Sequence, residues 1–290
     1  MKPAPFLYLR PDSVEEALGL LAEHGYDAKL LAGGQSLIPT MNFRLAEPAV
    51  LIDLNGVSGL AGIEARDGGV WIGAMTRQRA AEHSDVVGRG VPLMTEAFPW
   101  IAHPAIRNRG TVGGNLAHAD PASELPAIAL ALEARFNIRG AGGDRWVSAA
   151  DFFPGLFATA LEPEEILMGV EFPTTPPNAG WAFEEISRRH GDYALVGVAA
   201  QVTTTPDGRC ETARVGLFSV GDGPVLSPAA SALAGENPTA DAIADVGAAT
   251  ARDLDPPSDI HASSDYRRQL IRVLVGRALS RAFQRAAGAA

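Results

Sequence analysis

Two glycine pairs lie before the middle of the chain, each behind an apolar stretch: Ala32-Gly33-Gly34-Gln35-Ser36 and Thr111-Val112-Gly113-Gly114-Asn115. Glycine lacks a Cβ and accepts positive φ, so such a pair lets backbone approach a ligand closely. Successive N–H groups can then converge on an anion and cradle phosphate oxygens. Each loop also brings a hydroxyl, Ser36 or Thr111, and a side-chain amide, Gln35 or Asn115. Taken alone, either loop reads as an ordinary turn. Taken together, they fit a pyrophosphate held from two sides, and so a dinucleotide cofactor. Neither loop carries the G-x-G-x-x-G fingerprint, and the chain has no G-K-[ST] phosphate loop, so the reading rests on the pair.

The other reactive residues form no constellation. His24, His83, His103, His118, His190 and His261 are scattered, without Cys or His neighbours at ligand spacing, so no metal site is expected. No nucleophile, acid–base triad or paired carboxylate stands out, and no catalytic residue is assigned. The single cysteine, Cys210, excludes an intrachain disulfide and points to a reducing compartment. It also leaves the chain unable to hold an iron–sulfur cluster, which takes four thiolates. Acidic residues outnumber basic ones, 34 to 24, for a formal charge of −10. That balance disfavours nucleic acid, whose binding depends on Lys and Arg neutralising phosphates. No apolar run reaches the length of a membrane span, and the opening residues lack a signal-peptide core. A cytoplasmic location is the expectation.

The elements that must position the loops are legible from periodicity and turn residues. Phe6–Leu9 opens the chain, and Ser13-Val14-Glu15-Glu16 reads as a capping box for a helix that Gly25 stops. Lys29–Ala32 reads as a short strand entering the first loop, with a helix over Leu37–Leu45 beyond it and a buried strand over Val50–Leu54. A hairpin follows around Asp67-Gly68-Gly69. Thr76 is expected to cap a helix running through His83, and a second helix to span Val91–Ala102. The second glycine loop should enter a helix rich in Leu125, Ile128, Leu130 and Leu132. Strands are expected at Arg135–Arg139, Arg145–Ser148 and Ile166–Phe172, then a proline-rich linker over Pro173–Pro177. Beyond it, three antiparallel strands (Ala182–Ser187, Ala194–Thr203, Ala213–Val220) precede helices at Ala229–Ala234, Ala240–Ala251 and Ser264 to about Ala287. Strands followed by helices give an α+β fold rather than a βαβ repeat. The basic residues from Arg267 to Arg285 read as the solvated face of that final helix.

The stretches Leu30–Pro39 and Ile106–Pro121 resemble the two FAD-binding signatures of the flavoprotein medium subunits of molybdenum hydroxylases, the aerobic carbon monoxide dehydrogenase and xanthine dehydrogenase type. Glu165-Ile166-Leu167 and Arg188–Ala194 match further, and the likeness runs over nearly the whole chain. The resemblance implies a two-part FAD-binding domain of the vanillyl-alcohol-oxidase (PCMH) type over residues 1–175, with subdomains at about 1–55 and 56–175. A smaller α+β C-terminal domain would occupy 178–290. FAD would lie between the two parts. Carried over by position, Lys29, Leu30, Leu31, Ala32, Gly33, Gly34, Gln35, Ser36 and Leu37, with Thr111, Gly113, Gly114 and Asn115, would surround its diphosphate and ribityl chain. Glu124 would stand near the adenosine side, and Leu167 would meet the cofactor through its backbone.

Tyr193 would cover one face of the isoalloxazine and Ile101 the other, excluding water and tuning the reduced states. Read without the resemblance, Tyr193 is a buried tyrosine starting a strand and Ile101 a core aliphatic. His118 and Asp120 would shape the second glycine turn, with His103, Arg107 and Asn108 positioning it. Some xanthine-type members carry a lysine near the flavin where this chain has Glu184, so no basic flavin contact is transferred. The cysteine-bearing insertion of benzoyl-CoA-reducing relatives is missing as well. The function implied is electron transfer through FAD, with molybdopterin on a large partner subunit, two-iron two-sulfur clusters on a small one, and a dimer of heterotrimers as the assembly. A stand-alone FAD-dependent oxidase or dehydrogenase is the alternative, and a scaffold that has lost the cofactor a third. The substrate of the complex and its electron acceptor would be decided elsewhere.

Overall fold

The computed structural model describes residues 2–288. Three sheets organise the chain. The first is built from β1 (Leu7–Leu9), α1 (Val14–His24), β2 (Ala28–Leu31), α2 (Leu37–Asn42) and β3 (Val50–Asp53), with β3 central and parallel to both β1 and β2. Val50-Leu51-Ile52-Asp53 is buried at every position, as a strand covered on both faces should be. Ser13 caps α1, its hydroxyl accepting the N–H of Glu16 at 3.1 Å. Glu16 returns to the N–H of Asp12 at 2.8 Å, one residue before the usual capping-box partner. Parallel strands present ligands at their C-terminal ends. The first glycine loop leaves β2 at that edge, next to Asp53, the last residue of β3.

The second sheet begins with the hairpin β4 (Ile63–Arg66) and β5 (Gly69–Gly73). Six short helices follow: α3 (Gln78–Glu82), α4 (Asp85–Gly90), α5 (Pro92–Ala97), α6 (Pro104–Arg107), α7 (Val112–His118) and α8 (Glu124–Ala131). Then come β6 (Arg135–Gly140), β7 (Gly143–Ser148), α9 (Ala149–Phe152) and β8 (Ile166–Pro173). The strands pair antiparallel in the order β4-β5-β8-β6-β7. Val70, Ile72, Phe136, Ile138, Val170 and Phe172 point inward and pack on α5, α7 and α8 in the largest apolar core. The outer face carries Trp71 edge-on to Trp146 at 5.9 Å, with Arg66 and Arg135 stacked over the two rings.

The third sheet, β9 (Ala179–Ser187), β10 (Ala194–Thr204), β11 (Cys210–Phe218) and β12 (Val225–Leu226), is antiparallel in the order β12-β11-β10-β9. Helices α10 (Ala240–Asp253) and α11 (Ser264–Ala286) cover one face, burying Val196, Val198, Val215 and Leu217 against Ile271, Leu274 and Leu279. The other face lays Phe183, Ala199 and Phe218 on the core of the second sheet. Glu96 of α5 joins the two layers: it accepts the N–H of Phe183 and pairs with Arg281 and Arg285 of α11. Among the described residues no helix is long and apolar enough to cross a membrane.

Several expected elements take a different form, among them the helix expected at Ala229–Ala234, which is a 3-10 turn over Pro228–Leu233. Thr76 does not cap a helix: α3 starts after Arg77, and the Thr76 hydroxyl bridges the N–H and carbonyl of Gly62, each at 3.0 Å. The helix expected over Val91–Ala102 stops at Ala97 and tightens into a 3-10 turn over Phe98–Trp100, where Pro99 has no N–H to continue the ladder. The chain then reverses at Ala102, whose φ is 46°. The second glycine pair does not lead into the helix of Leu125 but lies inside a separate one, α7, which ends at Ala119 in the left-handed region. Pro121 follows, and α8 begins afresh behind Ser123.

Candidate functional site

The first loop is half-exposed from Leu30 to Leu37, with Lys29 exposed beside it. Gly34 turns the chain with φ of 71°. The Gln35 side chain folds back and donates to the carbonyl of Gly33 at 3.0 Å, while Thr40 donates to the carbonyl of Ser36 at 2.7 Å. Among the described residues, the N–H groups of Gly33, Gly34, Gln35 and Ser36 donate to no backbone or side-chain acceptor. The Ser36 hydroxyl makes no capping bond either. Four consecutive unspent donors beside a hydroxyl are suited to bind phosphate oxygens.

The second glycine pair works differently, which corrects the expectation of two like cradles. Its donors are already engaged: Gly113 N–H to the carbonyl of Ala74 at 2.9 Å, Gly114 N–H to the Thr111 hydroxyl at 3.0 Å. The Asn115 side-chain oxygen accepts the Ser123 hydroxyl at 2.7 Å. These glycines serve close packing instead. A Cβ on Gly113 would stand 2.5 Å from the Ala74 Cα, and one on Gly114 would stand 3.1 Å from the Ala32 Cβ.

The two loops are in direct contact. A Cβ on Gly33 would overlap the carbonyl oxygen of Arg109 and lie 2.7 Å from the Gly110 Cα. A polar bridge fastens the contact from behind. Arg77 donates to the Arg109 carbonyl and, at 2.6 Å, to the Asn55 side-chain oxygen; Asn55 donates in turn to the carbonyl of Ala32 at 2.9 Å. Asp53 orients Asn55 by accepting its backbone N–H at 2.9 Å, and itself takes the Tyr8 hydroxyl at 2.5 Å. Burial alone would raise the Asp53 pKa, but these hydrogen bonds hold it below the ordinary carboxylate range. We expect Tyr8→Phe to cost about 1 kcal/mol in urea unfolding near pH 7. A carboxylate with a lowered native pKa stabilises the fold above its unfolded pKa and loses that stability as pH falls through the native one. In the variant the Asp53 contribution to the acid limb should therefore shrink, so that wild type and variant converge in stability as pH falls.

Arg107 fixes the segment that carries Ile101. Its buried guanidinium meets Glu82 through two bonds, 2.9 and 3.1 Å, and donates to the Ile101 carbonyl at 2.8 Å. Burial works against ionised Glu82, yet the bonds from Arg107 and Arg79 lower its pKa. His103 is exposed, and the Ile101 side chain before it is part of the core. Leu167 is likewise buried, its backbone in the ladder between β8 and β6. The loop between β9 and β10 approaches from the other side: a Cβ on Gly191 would stand 2.5 Å from the His103 ring, and Trp100 meets His190 edge-on. This loop presents Tyr193, which is not the buried strand residue that its neighbours imply but a 67% exposed side chain. Its phenol is raised by partial burial and by the charges of Asp120, Glu124 and Asp192. His118 packs on Phe157 and is lowered by burial.

Glu124 is buried at the first turn of α8, and burial pushes its carboxyl up to about 7. Glu184 is turned toward α11. It pairs with Arg281 of α11 at 3.1 Å, on the far side of the sheet. Glu185, its neighbour on β9, takes the inward position instead. Sequence reasoning passed over Asp53, Asn55, Arg77, Glu82 and Glu185. Asp53 lay inside an expected buried strand and Asn55 at its bounding turn, and a lone charged residue in a strand signals nothing until its facing side is known.

Two family models cover the chain: the FAD binding domain in molybdopterin dehydrogenase over residues 4–175, and the CO dehydrogenase flavoprotein C-terminal domain over residues 181–282. The 6-hydroxypseudooxynicotine dehydrogenase complex subunit alpha of Paenarthrobacter nicotinovorans is 43% identical, covering 99% of this chain and 97% of that one. The carbon monoxide dehydrogenase medium chain of Afipia carboxidovorans is 40% identical, covering 99% of both chains. The solved carbon monoxide dehydrogenase of Hydrogenophaga pseudoflava superposes with a TM-score of 0.96 at 38% identity, covering 98% of this chain and 99% of that one.

Proposed function

Because the chain belongs to the FAD-binding subunits of the molybdopterin dehydrogenases, we propose that it is the flavin-carrying medium subunit of such a complex and binds FAD between its glycine loops and the Tyr193 loop. The observation that carries the site is the row of free N–H groups over Gly33–Ser36, locked in place by the second loop. Lys29–Leu37 would hold the diphosphate, with Thr111, Gly113, Gly114 and Asn115 backing that loop by close packing. Glu124, Leu167 and Ile101 would form the wall, and Tyr193 the cover. The domain division at 1–175 and 178–290 belongs to the same proposal, supported by the proline-rich turn between the second and third sheets.

FAD, when bound, supplies the step between two-electron and one-electron chemistry. The chain's own residues bind and orient it and keep water from its faces. Clusters must come from another polypeptide: Cys210 is buried in the core of the third sheet, its thiol pushed up to about 11 by burial. A molybdopterin-bearing large subunit, an iron–sulfur small subunit, a dimer of heterotrimers and a cytoplasmic location complete the proposal. Co-expressed with such partners, the chain should carry one FAD, released by acid and identified by chromatography. Iron–sulfur absorption should appear only when the partners co-purify. Bleaching of the flavin by a small organic reductant in the isolated chain would instead establish a stand-alone flavoenzyme.

A further inference from the structure

Arg267 enters the end of the third sheet from the start of α11, and its side chain is only 5% exposed. A buried guanidinium is costly unless its charge is paired and its N–H groups are used. The charge meets Asp259 at 2.6 Å, a carboxylate already oriented by the N–H groups of His261 and Ala262 at 2.7 and 2.9 Å. Nη1 donates to two carbonyls, that of Leu195 in β10 and, at 3.2 Å, that of Ser219 just past the end of β11. Both lie where the ladders break. Ala194 faces Ser187 and Val196 faces Ile186, so Leu195 is an extra residue without a partner on β9. Pairing of β10 with β11 begins only at Gly197 and Phe218. A bulge of this kind re-aims the side chains beside it, and Tyr193 stands two residues before it.

Ser219 has a φ of 60°, uncommon for a residue with a Cβ, and a buried hydroxyl without a hydrogen-bond partner. Such a conformation persists only where its surroundings over-determine it. Here Arg267 takes the carbonyl, and the N–H donates to the carbonyl of Pro121 at 2.8 Å. Pro121 lies in the turn between α7 and α8, directly after Asp120. One guanidinium thus joins the root of the Tyr193 loop to the turn behind the second glycine helix. Within the loop, Asp192 pairs with Arg188 and Arg189, whose side chains are 49% and 82% exposed, and such pairs contribute little.

We propose that Arg267 is a positioning residue for Tyr193: with Asp259 as its anchor, it holds the Leu195 bulge in the register that aims the phenol at the flavin. The proposal rests on the flavin reading, in which Tyr193 covers one face of the isoalloxazine. Arg267 acts through backbone alone, and Tyr193 makes the contact.

The test is a double-mutant cycle on the assembled complex, stripped of FAD and titrated with FAD by calorimetry. Tyr193→Ala and Arg267→Met should each raise the Kd by about 10-fold, the scale of one aromatic stacking contact. If Arg267 acts through Tyr193, the double variant should lose no more than about 20-fold. A double loss equal to the product of the two single losses, or an unchanged Kd in Arg267→Met, would overturn the proposal. If Arg267→Met does not assemble, Asp259→Asn takes its place, since that side chain is 42% exposed. Its expected loss is about threefold and again dependent on Tyr193, and additivity or no loss would be equally fatal. Failure of wild type to bind FAD would overturn the flavin reading itself. The loop also has a readout that needs no cofactor. Trypsin should cut the full-length Arg267→Met chain after Arg189 about ten times faster than wild type, with cleavage after Arg252 unchanged. Equal cleavage after Arg189, or a matching rise at both sites, would refute a specific hold on the loop.

Discussion

Gly33→Val should yield a folded protein without flavin. The new side chain has nowhere to go, because its Cβ alone overlaps the Arg109 carbonyl oxygen and crowds the Gly110 Cα. Both neighbours are backbone, held by Arg77 and by the N–H of Gln78, so they cannot swing aside as a side-chain tip would. The two loops must part, and the row of N–H donors loses its backing. Gly33 is not itself part of an apolar core, so circular dichroism and cooperative melting should persist. The affinity for FAD should fall by about 100-fold or more, equivalent to about 2.7 kcal/mol. Gly114→Val attacks the same contact from the other side, at Ala32 and at the capping hydroxyl of Thr111. The double variant should release no flavin on acid treatment. Full flavin content in the double variant would disprove the assignment of these loops.

Arg107→Met should be the more damaging substitution for the fold. It removes a buried cation that meets Glu82 through two bonds and leaves a carboxylate with under a tenth of its side chain exposed. Breaking a buried pair from one side costs about 3–5 kcal/mol, most of it the penalty of the charge left behind. Arg79 still reaches Glu82 at 3.0 Å, which places the expected loss near the lower figure. The Ile101 and Ala102 carbonyls also lose their donor, so the segment facing Tyr193 should loosen. Urea unfolding should show the drop in stability, and a flavin titration an accompanying rise in Kd. Glu82→Gln in the Arg107→Met background should restore much of the stability, since it removes the stranded charge. An unchanged midpoint in Arg107→Met would mean that the pair contributes nothing to the fold.

The glycine loops, the strands that bear them and the order of elements were readable because each has a local cause. Ser13 caps, Gly25 ends a helix, Val50–Asp53 is apolar throughout, and the hairpin turns on Asp67-Gly68-Gly69. What the sequence concealed depends on distant partners. Nothing near Thr76 announces that Gly62 will occupy its hydroxyl. The glycine pair at Gly113-Gly114 looks like that at Gly33-Gly34, yet one spends its N–H groups on Ala74 and Thr111 and the other keeps them free. Alternation along β9 says that Glu184 and Glu185 face opposite ways but not which of them faces α11. Only the packing of the sheet against that helix decides it.

The interlock of the two loops also sets when the site can exist during folding. Asn55, Arg77 and Arg109 must all be in place before Gly33 has its backing, and the sheet beneath them pairs β5 with β8 across most of the second sheet's sequence. Such long-range closure is slow compared with helix formation. A nascent chain therefore has no half-built cradle to offer, and cofactor loading becomes the final event of maturation. Protein made faster than it folds should accumulate as a mixture of empty and fully loaded molecules, and flavin content then reports the fraction of chains that have completed their fold.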